Sequence, residues 1–476
     1  DEGRKVTVHL GEKISAQRSV DRKPGGSVRY HQADVTLKRG QADYLVPLSA
    51  ADARLMPEHI GPVMPFRYVE IENASGSLKP EMLRQIMVHY PFDDAAADFR
   101  CSDERLNAIW ELCKYSMKAT SFGGIFVDGD RERLPYEADA YINQLGWYYT
   151  AGDVSLPRYT HEHLIRHPTW PTEWILFSVL IAWEDYLFSG DPASLRTFYA
   201  DLEAKTLLAL ARPDGLISIP KGALPEAVGR AIHIKAIRDI VDWPLGERDQ
   251  YEMRPVNTVV NAFHARALDR MSRIAAALGK PDDEKRFCDA AARVALAINE
   301  RLFDPATGLY LDGEGSRHSS LHANMFPLAF GLVPPDRRVR VTQFVRGRGM
   351  ACSVYGAQFL MDALFDADEA EHAIALMTAP RDRSWTHMIE NVGTTITLEA
   401  WDTKYKPNQD WNHAWGAAPA NILPRKLMGI EPLAPGWTKL QVCPRLGGLK
   451  WAEVRTPTPW GPVFTRAEAG PTFQLT

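Results

Sequence analysis

The chain contains the stretch Asp128-Gly-Asp-Arg-Glu-Arg-Leu-Pro-Tyr-Glu-Ala-Asp139, a dense run of carboxylates and arginines. Apolar and aromatic residues such as Phe126 and Tyr141 surround it. Charges this dense are costly to bury unless they are paired. The pattern therefore favours a polar pit whose carboxyl groups have different pKa values, as acid–base catalysis requires. The alternative interpretation is a solvated loop with salt bridges.

A second cluster lies far downstream, at Thr394-Thr-Ile-Thr-Leu-Glu-Ala-Trp-Asp402. Its carboxylate Glu399 is either an ordinary helix-entry residue or part of a catalytic loop. Aromatic and histidine residues flank the cluster and could stack on or hydrogen-bond a sugar, although each alone would fit a core position. These residues are Trp385, His387, Trp411, His413 and Trp415. The two clusters together predict an enzyme that uses two carboxylates.

A third polar and aromatic segment runs from Asp242-Trp243 to Asp249, and we interpret it as either a plain loop or a wall of a glycan pocket. The histidines at 161, 163 and 167 lack the H-E-x-x-H spacing of a zinc site on a helix, so no metal site is predicted. The chain has neither a glycine-rich phosphate loop nor a G-x-S-x-G nucleophile motif.

Composition excludes several classes of protein. The 476 residues are 45% hydrophobic and 24% charged, with a formal net charge of −5, so neither nucleic acid nor an anionic membrane surface is an expected partner. Five scattered cysteines form no C-x-x-C pair, which argues against a disulfide framework or structural zinc. The chain opens without methionine, and we expect either a fragment or a mature periplasmic or extracellular protein.

The periodicity of the sequence changes twice along the chain. Alternating strand patterns predict an antiparallel sheet or sandwich, and we assign residues 1–92 to an N-terminal β-sandwich domain. Helical patterns then dominate residues 93–430, and their number and hairpin-like stops predict helix pairs closed into a ring. Strand patterns return over residues 431–476, where we expect a β-strand domain that is either complete or cut short.

These motifs resemble those of the α-L-rhamnosidases of glycoside hydrolase family 78. The most specific match is Arg131-Glu132-Arg133-Leu134 followed by Asp139, where the family reads Arg-Glu-Arg/Lys-Leu-Gly-Trp-Thr-Gly-Asp. Further matches are Asp242-Trp243, the block from Trp385 to Trp401, and Asn412-His413. The resemblance implies an (α/α)₆ barrel flanked by β-sandwich domains. It also implies that Glu132 is the general acid and Glu399 the general base.

The chain departs from the family pattern around the acid. The usual Asp-Cys-Pro-Gln is replaced by Asp128-Gly-Asp130, and Gly-Trp-Thr-Gly by Pro135-Tyr-Glu-Ala138. The added Glu137 is a second candidate for the acid role. The block that carries the base has one extra residue.

The resemblance implies an inverting exo-glycosidase that releases terminal α-L-rhamnose and needs no cofactor, although calcium could stabilise a loop. The partner is then a carbohydrate, and the oligomeric state stays open. Side chains expected to bind or line the sugar pocket are Asp128, Arg131, Glu137, Asp139, Asp242, Trp243, Trp385, Trp401 and His413. Alternatives are an (α/α)₆ hydrolase or lyase for another sugar, or an inactive carbohydrate-binding protein.

Overall fold

The computed structural model describes residues 2–219, 224–470 and 474–475. Its strands are β1 (Lys5–Gly11), β2 (Tyr30–Thr36), β3 (Tyr68–Glu72), β4 (Asp98–Cys101), β5 (Phe303–Asp304), β6 (Leu309–Tyr310), β7 (Glu431–Ala434), β8 (Lys439–Gln441), β9 (Trp451–Thr456), β10 (Val463–Glu468) and β11 (Gln474–Leu475). Its helices are α1 (Glu104–Ala119), α2 (Glu137–Thr150), α3 (Ser155–Arg166), α4 (Thr172–Ser189), α5 (Ala193–Thr197), α6 (Tyr199–Lys205), α7 (Glu226–Ala231), α8 (Thr258–Ala277), α9 (Pro281–Arg301), α10 (Leu321–Ala329), α11 (Pro335–Arg348), α12 (Val354–Asp366), α13 (Ala370–Met377), α14 (Trp385–His387) and α15 (Pro419–Ile422).

The helices form two concentric layers. Helices α2, α4, α8, α10, α12 and α15 contact one another in that order, and α15 returns to α2, which closes an inner ring. Helices α1, α3, α6, α9, α11 and α13 pack around this ring. The expected ring of helix pairs is therefore confirmed.

The sequence of each helix explains its layer. Helix α12 is apolar on every side, and all its residues from Val354 to Phe365 are buried, as an inner helix requires. Helix α9 instead buries a single stripe and exposes charged residues on its other face. The stripe consists of Phe287, Ala290, Val294, Ala297 and Ile298.

The N-terminal residues form one antiparallel sheet in the order β2-β1-β3, with a small apolar cluster around Val8, Leu10 and Met64. Within residues 1–92, the described strands form this one three-stranded sheet, and the β-sandwich stays a prediction. Loops of the helical body contact this region, for example where the Ser27 hydroxyl donates a hydrogen bond to the Asn408 carbonyl at 2.7 Å.

The C-terminal strands belong to two sheets: β9, β10 and β11 join β4 in the order β11-β10-β9-β4, and β7 and β8 pair with each other. Strand β4 precedes the first helix in the sequence and β9 to β11 follow the last helix, so their sheet combines strands from before and after the helical segment. With four residues, β4 is too short for its alternation to be recognised in the sequence. The boundaries at residues 93 and 431 stay a prediction. In the described part of the chain, no helix combines the length and the apolar character that crossing a membrane requires.

Candidate active site

The N-terminal ends of the inner helices gather at one end of the ring. Trp174 near the start of α4 contacts Tyr355 of α12 with ring centres 5.2 Å apart, and Tyr355 stacks on Trp415 at 5.8 Å. Trp415 in turn stacks on His413 at 4.7 Å. These aromatic rings form the floor of the site. Helix N-termini carry unpaired N–H groups and a positive dipole, so this end of the ring favours the carboxylates of the loops that cross it.

The side chain of Arg131 joins the two predicted catalytic glutamates. Its terminal guanidinium nitrogens lie 3.1 Å from Glu132 Oε1 and 3.4 Å from Glu399 Oε1. Burial lowers the pKa of Arg131, but the carboxylates around it outweigh burial and keep the guanidinium charged. Two glutamates that lie far apart in the sequence therefore contact the same cation.

Two cations and one backbone N–H lie around the carboxylate of Glu399. It is buried, its Oε2 accepts a hydrogen bond from the Asp410 N–H at 2.9 Å, and Lys406 Nζ lies 3.1 Å from the same oxygen. Hydrogen bonds and cations around a carboxylate favour its charged form. This is the state that a general base needs before it accepts a proton.

Glu132 is more accessible than Glu399. Its side chain is 33% exposed, against 3% for Glu399. The Tyr136 hydroxyl donates a hydrogen bond to Glu132 Oε2 at 2.9 Å. Glu132 can therefore reach a bound glycosidic oxygen while Tyr136 fixes its orientation.

A second pair lies on the floor of the site. His413 Nε2 is 2.6 Å from Asp139 Oδ1, and both residues are buried. Burial alone would lower the pKa of His413, but the hydrogen bond and charge of Asp139 raise it to about 9, so the imidazole is cationic at neutral pH. Nearby, burial and the neighbouring carboxylates hold the pKa of Asp128 well above its usual range.

The loop that carries Glu132 is closed on itself and packed against Asp410. The N–H of Asp128 donates to the carbonyl of Leu134 at 2.9 Å, and the N–H of Leu134 donates back to Asp128 Oδ1 at 3.0 Å. Gly129 has a φ of 149°, and an added Cβ would lie 2.7 Å from Asp410 Oδ2. Only glycine fits this position without displacing the loop or the carboxylate.

The N-terminal sheet region supports the same loop from outside. Arg133 is buried, pairs with Asp130, and donates hydrogen bonds to the carbonyls of Asp52 at 2.7 Å and Val63 at 2.6 Å. Asn412 Oδ1 accepts from the Asp130 N–H at 2.8 Å, and its Nδ2 donates to Glu12 Oε1 at 3.1 Å. Residues 12–63 thus help to build the loop that carries Glu132.

Residues 94–427 match the model of a protein family described as the bacterial alpha-L-rhamnosidase 6 hairpin glycosidase domain. The match covers well over half of the 476 residues. The chain belongs to this family. The segments that carry Glu132 and Glu399 both lie inside the matched range, and they meet at Arg131.

Two relatives with similar sequences are named alpha-L-rhamnosidase. An alpha-L-rhamnosidase from Alteromonas sp. (strain LOR) is 24% identical over 469 residues, which cover 88% of this chain and 47% of that protein. One from Formosa agariphila is 21% identical, covering 84% and 44%. The chain therefore spans about half the length of the curated relatives it matches.

Solved structures share the fold. The alpha-L-rhamnosidase of Aspergillus terreus has a TM-score of 0.77 at 17% identity, covering 100% of this chain and 55% of that chain. The Streptomyces avermitilis alpha-L-rhamnosidase complexed with L-rhamnose has a TM-score of 0.74 at 18% identity, covering 99% and 44%.

Two predicted members of the rhamnosidase site lie outside the cluster at Arg131. Glu137 is buried, accepts a hydrogen bond from the Thr169 N–H at 3.1 Å, and interacts with the buried Lys205. No hydrogen bond or ion pair links it to Glu132 or Glu399 in the described part of the chain. Asp242 is likewise buried, 2.6 Å from His322 Nε2, and accepts from the Ser353 N–H at 3.0 Å. It joins the starts of α10 and α12.

The interpretation of Trp385 and Trp401 as pocket-lining faces is corrected by their burial. Both indoles are fully buried and contact each other edge to face with ring centres 5.0 Å apart. Their indole N–H groups donate to the carbonyls of Gly416 and Cys352, so they hold the loop behind Glu399. Trp243 is half-buried and packs against the core. Sequence spacing shows that aromatic residues cluster but not which way they face.

Sequence reasoning missed Asp410, Lys406 and Glu12. Asp410 lies three residues before His413 in a segment already singled out, so its proximity to the Asn412-His413 motif was an available signal. Lys406 stands alone between Tyr405 and Pro407 and carries no motif. Glu12 is far from Asn412 in the chain, and no local pattern connects them.

Glu399, Asp410 and His413 bring one possible ligand atom each to within 4.8 Å of one another. The group does not fit calcium, which prefers six to eight oxygen ligands. His413 is a cationic imidazole here because its pKa is about 9. Arg131 and Lys406 already neutralise Glu399. Calcium at another loop stays a prediction.

Proposed function

We propose that the chain is the catalytic part of an inverting exo-α-L-rhamnosidase that releases terminal α-L-rhamnose from glycosides or saccharides. The proposal depends mainly on one observation, the contact of Glu132 and Glu399 with the same guanidinium of Arg131. Membership of the rhamnosidase family supports the identity of the sugar.

In this mechanism the two glutamates have opposite roles. Glu132, which is partly exposed and oriented by Tyr136, protonates the departing glycosidic oxygen. Glu399, which is surrounded by cations, takes a proton from a water that attacks the anomeric carbon from the other face. Arg131 stays protonated throughout and holds both carboxylates in place. The reaction needs no redox or organic cofactor.

The distance between the carboxylates admits inversion. Because both contact one guanidinium, their nearest oxygens lie at most roughly 9 Å apart, and inverting glycosidases need about 6.5–9.5 Å to accommodate the water. Direct attack by Glu399 as a nucleophile would need its oxygens free. Instead, three cationic or N–H donors already engage them.

The charge of the site favours a neutral sugar over a uronide. Asp128, Asp139 and Asp410 lie around the pair at Arg131, and burial raises the pKa of each. A carboxylate on the substrate would add another negative charge to a group that is already costly to ionise. Rhamnose, a neutral deoxy-sugar, adds none.

The roles of the two glutamates are separable by the leaving group. With a rhamnosyl disaccharide, Glu132→Gln should lower kcat/KM by about 10²–10⁴-fold, because the poor leaving group needs a proton. With 4-nitrophenyl α-L-rhamnoside the loss should be much smaller, because nitrophenolate leaves unprotonated. Glu399→Gln should affect both substrates equally.

Glu137→Gln decides between the two candidate acids, since Glu137 is buried and has no hydrogen bond or ion pair to Glu132 or Glu399 in the described part of the chain. It should retain hydrolysis. Glu132→Gln acting like the parent on the disaccharide, or cleavage of an α-glucoside and not the α-L-rhamnoside, would contradict the proposal. An ultraviolet-absorbing unsaturated product would indicate a lyase instead.

A further inference from the structure

The side chain of Asp410 lies between the two loops that carry the glutamates. It is buried, and its Oδ1 accepts a hydrogen bond from the backbone N–H of Arg131 at 3.1 Å. Its Oδ2 lies 3.6 Å from Arg131 Nε. The backbone N–H of Asp410 donates to Glu399 Oε2, and its carbonyl accepts from the Glu399 N–H at 3.1 Å. One residue therefore contacts both Arg131 and Glu399.

We propose that Asp410 is a positioning residue that orients the Arg131 guanidinium and, through it, sets the relative placement of Glu132 and Glu399. This inference rests on the proposed glycosidase function. It concerns a residue outside the motifs from which the catalytic roles were inferred.

Unpaired atoms at the contact support the proposal. Asp410 Oδ2 and Arg131 Nε are both buried, and neither has a hydrogen-bond partner among the described residues. Each is therefore left with the other, 3.6 Å away, as its ionic partner. A buried carboxylate oxygen beside a buried guanidinium Nε restricts the directions that the guanidinium can take.

Asp410 does not itself face the reacting atoms. Its side chain is 2% exposed, and the backbone of Gly129 packs directly over Oδ2. Its Oδ1 is engaged by the Arg131 N–H. Asp410 is therefore poorly placed to activate water and acts through Arg131.

The charge of Asp410 depends on pH in the working range. The groups that face it are the carboxylates of Glu399, Asp128 and Glu12 and the cations of Arg131 and His413. Burial, reinforced by the Glu399 charge and opposed by His413 and Arg131, raises the pKa of Asp410 to about 6. Below this pH the ionic partner of Arg131 Nε is lost.

Asp410→Asn and Asp410→Ser test the proposal, and Asp402→Asn is the matched control. Asp402 lies on the same loop, but its carboxylate pairs with His387 and not with Arg131. Both Asp410 variants should lower kcat by about 10²-fold, as small misplacements of catalytic groups do, with a much smaller change in KM. The acid limb of the kcat/KM profile should also move below pH 6. Asp402→Asn should leave this limb in place.

Crystal structures of the parent and of Asp410→Asn give a readout that does not depend on the substrate. We expect the Arg131 guanidinium to leave at least one of the two glutamates in the variant. An unmoved guanidinium, or an unchanged acid limb in an active variant that folds, would overturn the inference. A parent chain that cleaves no glycoside would instead overturn the proposed function, and the position of Arg131 would still decide this inference.

Discussion

Replacing Glu12 with glutamine, E12Q, removes a buried charge at the contact between the N-terminal sheet and the catalytic loops. Glu12 Oε2 accepts from the Arg29 N–H at 2.7 Å, and Oε1 accepts from Asn412 Nδ2 at 3.1 Å. Burial raises the pKa of Glu12 from 4.5 to about 7, and the charges of Asp130 and Asp410 add to this effect. Glutamine has the same shape but does not ionise.

The sign of the effect follows from proton binding. Between pH 4.5 and 7 the folded chain holds a proton on Glu12 that the unfolded chain has lost, so the free energy of unfolding falls as pH rises. The shift in pKa corresponds to about 3 kcal/mol in total, of which roughly 2 kcal/mol or somewhat more falls between pH 5 and pH 8. Glutamine also loses one acceptor, a cost of about 1–3 kcal/mol that does not depend on pH.

Urea unfolding of the parent and of E12Q at pH 5 and pH 8, followed by tryptophan fluorescence, measures this effect. Relative to the parent, E12Q should be more stable at pH 8 than at pH 5 by about 2 kcal/mol. Glu72→Gln, in the same sheet, is the control, because Arg22 lowers the pKa of Glu72 and the exposed carboxylate should give no such gain. A difference between E12Q and the parent that is the same at both pH values would refute the reasoning.

Two further predictions concern other buried charges. Arg133→Ala should destabilise the chain by about 3–5 kcal/mol, since it breaks a buried ion pair and leaves the Asp52 and Val63 carbonyls without a donor. Thermal unfolding measures this loss of stability. A loss no larger than that caused by Arg346→Ala, at a partly exposed arginine, would count against the prediction. His413→Gln should cost more stability at pH 7 than at pH 10. Because the pKa of His413 is raised to about 9, the stabilisation from its cationic form is fully present below pH 6.5 and is lost as pH rises through 9. A loss of unfolding free energy that is the same at both pH values in denaturant titrations would exclude this ion pair.

Much of the fold could be predicted from local pattern. Helical periodicity together with apolar inner helices such as α12 requires that the helices surround one another, and a ring is one solution. The covering of the N-terminal sheet could not be predicted this way. The pattern of β1 does not show what this region contacts: Glu12, directly after β1, accepts a hydrogen bond from Asn412, which lies 400 residues further along the chain.

In the candidate site, residue types could likewise be predicted from local motifs, but contacts between distant segments could not. The motifs at Glu132 and Glu399 identify residue types suited to acid–base chemistry, and the structure brings them to one guanidinium. The direction of a side chain depends on tertiary packing, which is why Trp385 and Trp401 were misinterpreted as pocket faces. Asp410 acts through a contact with Arg131 on another loop, and no spacing rule describes such a contact.

The anomer first released by the parent chain tests the central claim most directly. ¹H NMR during the first minutes of hydrolysis of an α-L-rhamnoside, before mutarotation, distinguishes the two outcomes. A water held between Glu132 and Glu399 attacks from the face opposite the leaving group, so β-L-rhamnose should appear first. Initial release of α-L-rhamnose would mean that a covalent intermediate forms, and would contradict the assignment of Glu399 as a base acting across Arg131.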